Sequence, residues 1–448
     1  MRRVLVGLAL GVALLVYLLG EPGGATPTAV AAPGRVKVRF WHMWTAEWKL
    51  VVDRIVERFN HSQSRYWVEA LSIPPAGAVG AESKFLLAAV GGDPPDVMAQ
   101  WQNVIPTWAS SGMLTPLDDL MSAEDRAAFE RDAYPVAKKI GSYGGRLYGM
   151  AIGVNTRALY YRKDQLRDAG LDPENMPTTL EGIFALGRKL DRVDADGNLT
   201  RLGFQPPGLE FYAPLFGGGF YDEQKGQLLL DSEANLRALE YVVTQRAALG
   251  MERVTRFDSA QNAGFGLEWP FVSGSISMTV DGQWRVEQLA KYAPHLDYGV
   301  VPVPPAAGGQ PLAGFATGNF MIVPRGAKQA AGAWALIRFW SGLGEPEQAA
   351  ELHAWGGWLP GIRAVAQSAA FQGHVHQYPQ LGSFMQLLPS AGLQTAPPTP
   401  TQTFLLDRAR VADQNASRGT LSPRAALAQL RREVEDEQAR RRSLGHAN

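Results

Sequence analysis

Val36-Lys37-Val38-Arg39-Phe40 alternates apolar and charged residues and reads as a half-buried strand. Trp48, Val51, Val52, Ile55, Val56 and Phe59 then recur at helical spacing with charges between them. Trp67-Val68-Glu69-Ala70-Leu71-Ser72-Ile73 reads as a second strand, and a helix through Phe85–Val90 ends at Gly91-Gly92. After the turn Asp93-Pro94-Pro95, Asp96-Val97-Met98-Ala99 is a third strand. Strand, helix, strand, helix, strand predicts an α/β fold with a parallel sheet. Farther along, Tyr148 to Tyr161 reads as one extended stretch, and residues 177–190 and 232–249 as helices. Asp297–Pro304 and Phe320–Pro324 read as strands, followed by a helix over Ala330–Trp340. The last helix has Ser422 as N-cap, Pro423 at its first position and Leu427, Leu430 and Val434 on one face. Its terminal Arg440-Arg441-Arg442 reads as a solvated end.

The chain has 448 residues, 46% of them hydrophobic, which suffices for two or three domains with buried cores. Lys plus Arg and Asp plus Glu both total 43, so nothing points to a nucleic-acid or strongly anionic partner. Cysteine is absent, which removes disulfides, thiolate metal sites, cysteine nucleophiles and a lipid-modified N-terminal cysteine. Met1-Arg2-Arg3 is basic, Val4 to Leu19 is apolar, and Ala29-Val30-Ala31-Ala32 is a small-residue segment. That order is an export signal with a cleavage point after Ala31, or an uncleaved anchor; either way the body is expected outside the cytoplasm. Residues 21–34 read as linker.

Several catalytic and metal patterns fail on inspection. Asp194-Ala195-Asp196-Gly197-Asn198 resembles the start of a calcium loop, but the frame puts Arg192 and Gly203 at ligand positions, so it reads as a polar turn. His374-Val375-His376 could hold a metal but has no third ligand nearby in sequence. The chain has no phosphate-cradling glycine loop, HExxH or GxSxG. Gly217-Gly218-Gly219 lacks the strand-to-helix setting of a dinucleotide site.

Aromatic clusters are the positive signal: Trp41-His42-Met43-Trp44, Glu210-Phe211-Tyr212, Glu268-Trp269, Trp284 and Trp355-Gly356-Gly357-Trp358. A lone aromatic is usually core. These lie at strand ends and in glycine-rich loops, often beside a carboxylate or amide. Ligands of open α/β sheets bind beyond the carboxyl ends of strands, and Trp41–Trp44 and Gln100–Asn103 follow strands one and three. Flat rings beside hydrogen-bonding groups suit a sugar, with its apolar C–H face and hydroxyl rim.

With these residues in place the chain resembles the family 1 extracellular solute-binding proteins of ABC importers, the maltose-binding type included. Phe40-Trp41-His42, Gly91–Val97, Leu147–Ala151 with Leu159–Lys163, Gly170–Pro173 with Pro177-Thr178-Thr179, Gly274–Trp284 and Leu359–Arg363 keep that family's motif order. The resemblance implies a two-lobed, type II periplasmic-binding-protein-like fold with a ligand cleft between lobes. By analogy, residues 1–35 are signal or anchor plus linker, 36–149 and 297–345 form lobe one, and 150–296 and 346–448 form lobe two. The expected function is a non-enzymatic receptor for a neutral sugar or oligosaccharide. It needs no cofactor, acts as a monomer and docks on transmembrane permease subunits. Trp284 is the expected stacking platform, followed by Phe211 or Tyr212 and Trp355 or Trp358, with Trp44 beside them. Glu47, Asn103, Glu210, Asp281 and Arg363 are expected hydrogen-bonding groups, Asn155 and Thr156 the cleft floor, and Gln100, Glu268, Gly318 and Gly356 further ligand-binding positions. Three rivals stay open: a secreted glycoside hydrolase using two of Glu47, Glu210, Glu268 and Asp281, the same fold binding a polyol phosphate or other anion through Arg285 and Arg363, and a sensory partner of a membrane receptor rather than an importer subunit.

Overall fold

The computed structural model describes residues 34–74, 81–222, 225–261 and 266–443; the expected export segment, Met1 to Ala32, lies outside them. In chain order the strands of the two large sheets are β1 (Val36–His42), β2 (Tyr66–Ser72), β3 (Val97–Trp101), β4 (Leu114–Thr115), β5 (Gly149–Asn155) and β6 (Arg157–Arg162). They continue as β7 (Arg192–Val193), β8 (Leu199–Gln205), β9 (Ile276–Gly282), β10 (Tyr298–Val301) and β11 (Thr317–Pro324). Helices around them include α1 (Ala46–Ser62), α2 (Ala81–Val90), α3 (Leu209–Leu215), α4 (Trp284–Tyr292), α5 (Ala330–Ser341) and α6 (Pro346–Gly356). Then come α7 (Arg363–Gln367), α8 (Ala369–Gln377), α9 (Gln402–Ser417) and α10 (Pro423–Ser443).

The first sheet begins as expected. β1 pairs in parallel with β2, from Val36 against Tyr66 to His42 against Ser72, and with β3 on its other side. α1 buries Val52, Ile55, Val56 and Phe59, the stripe that the spacing predicts. The sheet is mixed, however: β11 returns antiparallel to β3 and also pairs β5 and β4. The second sheet runs β10-β6-β9-β8-β7, with β8 and β9 parallel and β6 antiparallel to both β9 and β10. The predicted single extended stretch from Tyr148 to Tyr161 is two strands on two sheets, broken at Thr156.

Sheet membership moves the expected divisions of the chain. β5 belongs to the first sheet, so the crossing is at Thr156 rather than between residues 149 and 150. β10 pairs β6 and so sits in the second sheet, not with the downstream segment that holds β11. Residues 346–377 pack on the first sheet's core, where Leu352, Trp358, Ile362, Val365 and Phe371 meet Val38, Phe40 and Trp340. α9 and α10 pack on the second core through Leu405, Ala409, Leu427, Leu430 and Val434. A third cluster, including Trp108, Val154, Tyr160, Phe320 and Phe384, runs across the crossover between the two bodies.

This topology makes a gap. Asn155, at the end of β5, stands opposite Thr317, and Arg157, at the start of β6, stands opposite Gly282 at the end of β9. The carboxyl ends of β1, β3 and β5 therefore face those of β8 and β9 across Thr156. Among the described residues, no helix is long and apolar enough to cross a membrane.

Four residues expected at a binding surface are core instead. Phe211 and Tyr212 are 2% and 0% exposed, and Tyr212 Oη donates to Gln245 Oε1 at 3.0 Å. On α3 the helical phase turns these two rings inward and leaves Glu210 half-buried. Trp44 and Trp358 pack on buried Trp340, with ring centroids 5.9 and 5.6 Å away and 5.2 Å from each other. Truncating Phe211 to Ala is expected to cost about 3–5 kcal/mol in urea unfolding, the usual penalty for a large buried ring. A cost within experimental error would return this ring to the surface.

Candidate functional site

A cavity of about 290 Å³ opens between the two bodies. Glu47, Trp48 and Val51 line it from α1, and Trp355, Gly356 and Gly357 from the end of α6. Trp284, Glu287, Gln288 and Lys291 line it from α4, which follows the last strand-end of the second sheet. Trp284, Glu287, Gln288 and Lys291 lie at i, i+3, i+4 and i+7, so a single helix face supplies that wall.

Local chemistry sets each group. Ala46, the first residue of α1, is held at φ 48°, a left-handed conformation that costs an L-residue about 1–2 kcal/mol and that aims the first turn carrying Glu47. Glu47 Oε2 accepts from Lys291 Nζ at 2.5 Å and from Tyr292 Oη at 2.9 Å. The Lys291 ammonium, helped by the Tyr292 hydroxyl, holds the Glu47 carboxyl below its usual range, and Glu47 in turn raises Lys291. Gly282 has no room for a side chain: a Cβ there would lie 2.0 Å from the Trp284 ring. At Gly357 (φ 64°) a Cβ would fall 2.9 Å from Glu287 Oε2, and Glu287 Oε1 lies 2.9 Å from His374 Nε2. Trp355 carries the Arg54 guanidinium over one face, 3.6 Å from the ring centroid.

The turn before α4 is fixed from below. Gln283 is 1% exposed; its Nε2 donates to Asn155 Oδ1 at 2.9 Å and its Oε1 accepts from Thr156 N–H at 3.3 Å. Tyr160 Oη donates to the Gly282 carbonyl at 2.7 Å. Asp281 accepts from Arg285 Nε at 2.8 Å, and the Arg285 guanidinium stacks 4.2 Å over the ring of Trp269. Asp281, Arg285 and Trp269 line a separate cavity of about 440 Å³ with Arg157, Gln205 and Asp258. Glu210 is half-buried; burial pushes its carboxyl up, and Arg157 pulls it back down.

Of the expected site residues, the cavity between the bodies gathers Glu47, Trp284, Trp355 and Gly356. Asp281 lines its neighbour. Asn103 is half-buried in the short turn Gln102–Val104 after β3 and lines neither cavity. Thr156 and Gln100 are 0% and 2% exposed, so neither offers a ligand its side chain, and Asn155 is taken by Gln283. Gly318 is buried in β11, where its N–H binds Gln102 Oε1 at 2.9 Å, and Glu268 is exposed in the turn Gly266–Glu268. The Arg363 guanidinium lies 5.5 Å over the ring of Tyr134. Sequence reading left out Trp48, Gln288, Lys291 and Tyr292. Helical spacing from Trp284 points to Gln288 and Lys291; Trp48 was absorbed into the core stripe of α1. His374 faces Glu287 rather than a metal, and the described residues hold no cluster of three or more His, Cys, Asp or Glu that could bind one.

The profile of the bacterial extracellular solute-binding proteins matches residues 55–381. The chain belongs to that family. Among curated relatives of this solute-binding protein, the sn-glycerol-3-phosphate-binding periplasmic protein UgpB of Salmonella typhimurium is 24% identical over 83% of the chain and 82% of its own length. An uncharacterized ABC transporter extracellular-binding protein of Pyrococcus horikoshii is 21% identical over 68% of the chain and 70% of its own. Among solved structures, CpMnBP1 with mannotriose bound superposes with a TM-score of 0.75 at 24% identity, covering 89% of this chain and 100% of its own. The sugar-binding protein MalE of Xanthomonas citri gives 0.73 at 22% identity, covering 92% and 100%. The fold is thus the two-lobed α/β architecture of these binding proteins, and the first sheet's body and the second sheet's body are its lobes.

Two measurements follow from this geometry. Gly282→Ala should displace the Trp284 ring, seen as a shift in its fluorescence or in a crystal structure; an unmoved indole would contradict the packing. Behind the site, burial lowers His42 and His353 from 6.5 to about 4, with Asp53 pulling back on His42 and the Trp340 and Trp358 backbone on His353. The unfolded chain then binds more protons in that window, so stability present above pH 6.5 is lost as pH falls toward about 4. His353→Asn should flatten the pH dependence of the unfolding free energy across that window; an unchanged slope would count against it.

Proposed function

We propose that this solute-binding protein captures a neutral sugar or oligosaccharide outside the cytoplasm and delivers it to the permease subunits of an ABC importer. One observation carries the reading: Trp284 from the second lobe and Glu47, Trp48 and Trp355 from the first line the same cavity. Indole faces take up the C–H face of a sugar ring, and the carboxylates and the Gln288 amide meet hydroxyls. A buried polar group left unpaired costs about 1–3 kcal/mol, so such a site rejects ligands lacking the matching hydroxyl. Because the ligand touches both lobes, it binds the closed arrangement better than the open one and shifts the population toward it. The lobes in this reading are residues 34–155 with 317–377, and 157–301 with 402–443. The receptor works as a monomer.

Two observations favour a neutral, unreacted guest. Lys291, the cation that lines the cavity between the lobes, is already paired with Glu47, so little positive charge is left over there for a phosphate such as the one named in UgpB. A glycosidase acid needs a carboxyl with a raised pKa, whereas in the cavity between the lobes Glu47 is held low by Lys291, and Glu210, which burial does raise, does not line that cavity.

Thermal shift against a saccharide panel identifies the guest, since a ligand at 100 times its Kd stabilises by about 2.7 kcal/mol. With that ligand, Trp284→Ala should weaken binding at least about tenfold, or 1.4 kcal/mol, with circular dichroism unchanged. Calorimetry showing equal affinity would remove the stacking role.

A further inference from the structure

Glu47 and Lys291 line the cavity from opposite lobes and bind each other at its edge. Tyr292 Oη reaches the same carboxylate oxygen, so the last turn of α4 is tied to the first turn of α1 by two hydrogen bonds. Trp284 opens α4, and Lys291 stands seven residues on, roughly 10 Å along the axis on the same helix face. The stacking ring and the bridge therefore stand at the two ends of one wall. The cavity's volume, about 290 Å³, lies just below the roughly 300–1,000 Å³ of ligand pockets. The bridge also joins the lobes directly, α1 to α4. Its side chains are 58% and 37% exposed, so the pair is a weak contact that opens easily, and it acts through where it stands. The left-handed backbone at Ala46 aims Glu47 toward it.

Resting on the sugar-binding reading, we propose that the Glu47–Lys291–Tyr292 bridge is a length stop. It walls off one end of the cavity, biases the ligand-free protein toward the closed arrangement and selects a saccharide of about one or two rings over longer chains. A longer chain must displace the bridge to pass, and so gives up the hydrogen bonds of Lys291 and Tyr292 to Glu47.

The test compares wild type with Lys291→Ala and Glu47→Gln. Small-angle scattering on the ligand-free proteins reads the lobe arrangement, and calorimetry with a mono-, di-, tri- and tetrasaccharide series reads length preference. Both variants are expected to show a larger radius of gyration than wild type. Both should also shift the tetrasaccharide-to-disaccharide affinity ratio about threefold toward the longer chain. An unchanged radius, an effect in only one variant, or an opened protein with the same length preference would each overturn the proposal. If no saccharide binds any of the three proteins, the sugar-binding reading fails, and the length stop with it. The scattering then still decides separately whether the bridge closes the lobes.

Discussion

The buried amide of Gln283 holds the arrangement together. It donates to the last residue of β5 and accepts from the single residue that links β5 to β6, so it grips the chain where it leaves one lobe for the other. An unpaired amide in that setting would cost about 1–3 kcal/mol, which gives the contact geometric force. Gln283 immediately precedes α4. The direction of that helix, and with it the wall bearing Trp284, Gln288 and Lys291, is therefore set from the crossover. Tyr160, donating to the neighbouring carbonyl, makes the same attachment from β6.

Six of the 12 tryptophans divide into two groups around the cavity. Trp44, Trp340 and Trp358 are buried against one another, Trp44 stacked on Trp340 and Trp358 tilted against both, whereas Trp48, Trp284 and Trp355 are half-buried around the gap. Each large ring removes about 150–250 Å² from water when packed, so any ring that can reach the core will go there. Trp355 and Trp358 show how finely this is decided. They are three residues apart, yet the first ends a helix facing the gap and the second follows a glycine turn that folds its ring back onto Trp340.

The local periodic elements were legible: β1, α1, β2 and β3 follow from alternation and helical spacing alone, as do Leu427, Leu430 and Val434 on the last helix. The return strand β11, the place of β10 in the second sheet and the break at Thr156 were not. Strand partners separated by more than a hundred residues leave no mark in a short window of sequence. Motif order carried the family correctly because it compares positions along the whole chain. The site was half legible. An aromatic pair beside a carboxylate reads the same whichever way its helix is turned, and for Glu210-Phe211-Tyr212 the turn puts the acid outward and the rings in. Lys291 carried no signal of its own, because its role comes from Glu47, which lies far away in sequence and on the other lobe.

Arg54, 3.6 Å over one face of Trp355, has an effect on the opposite face of that ring. An indole presents its electron-rich quadrupole to both sides, and a guanidinium on one side draws on that density. The face left for a guest is then a poorer partner for an ammonium group, while dispersion contact with a C–H surface is little affected. In the sugar-binding reading, an arginine on one side of this ring would thus tune which guests suit its other side.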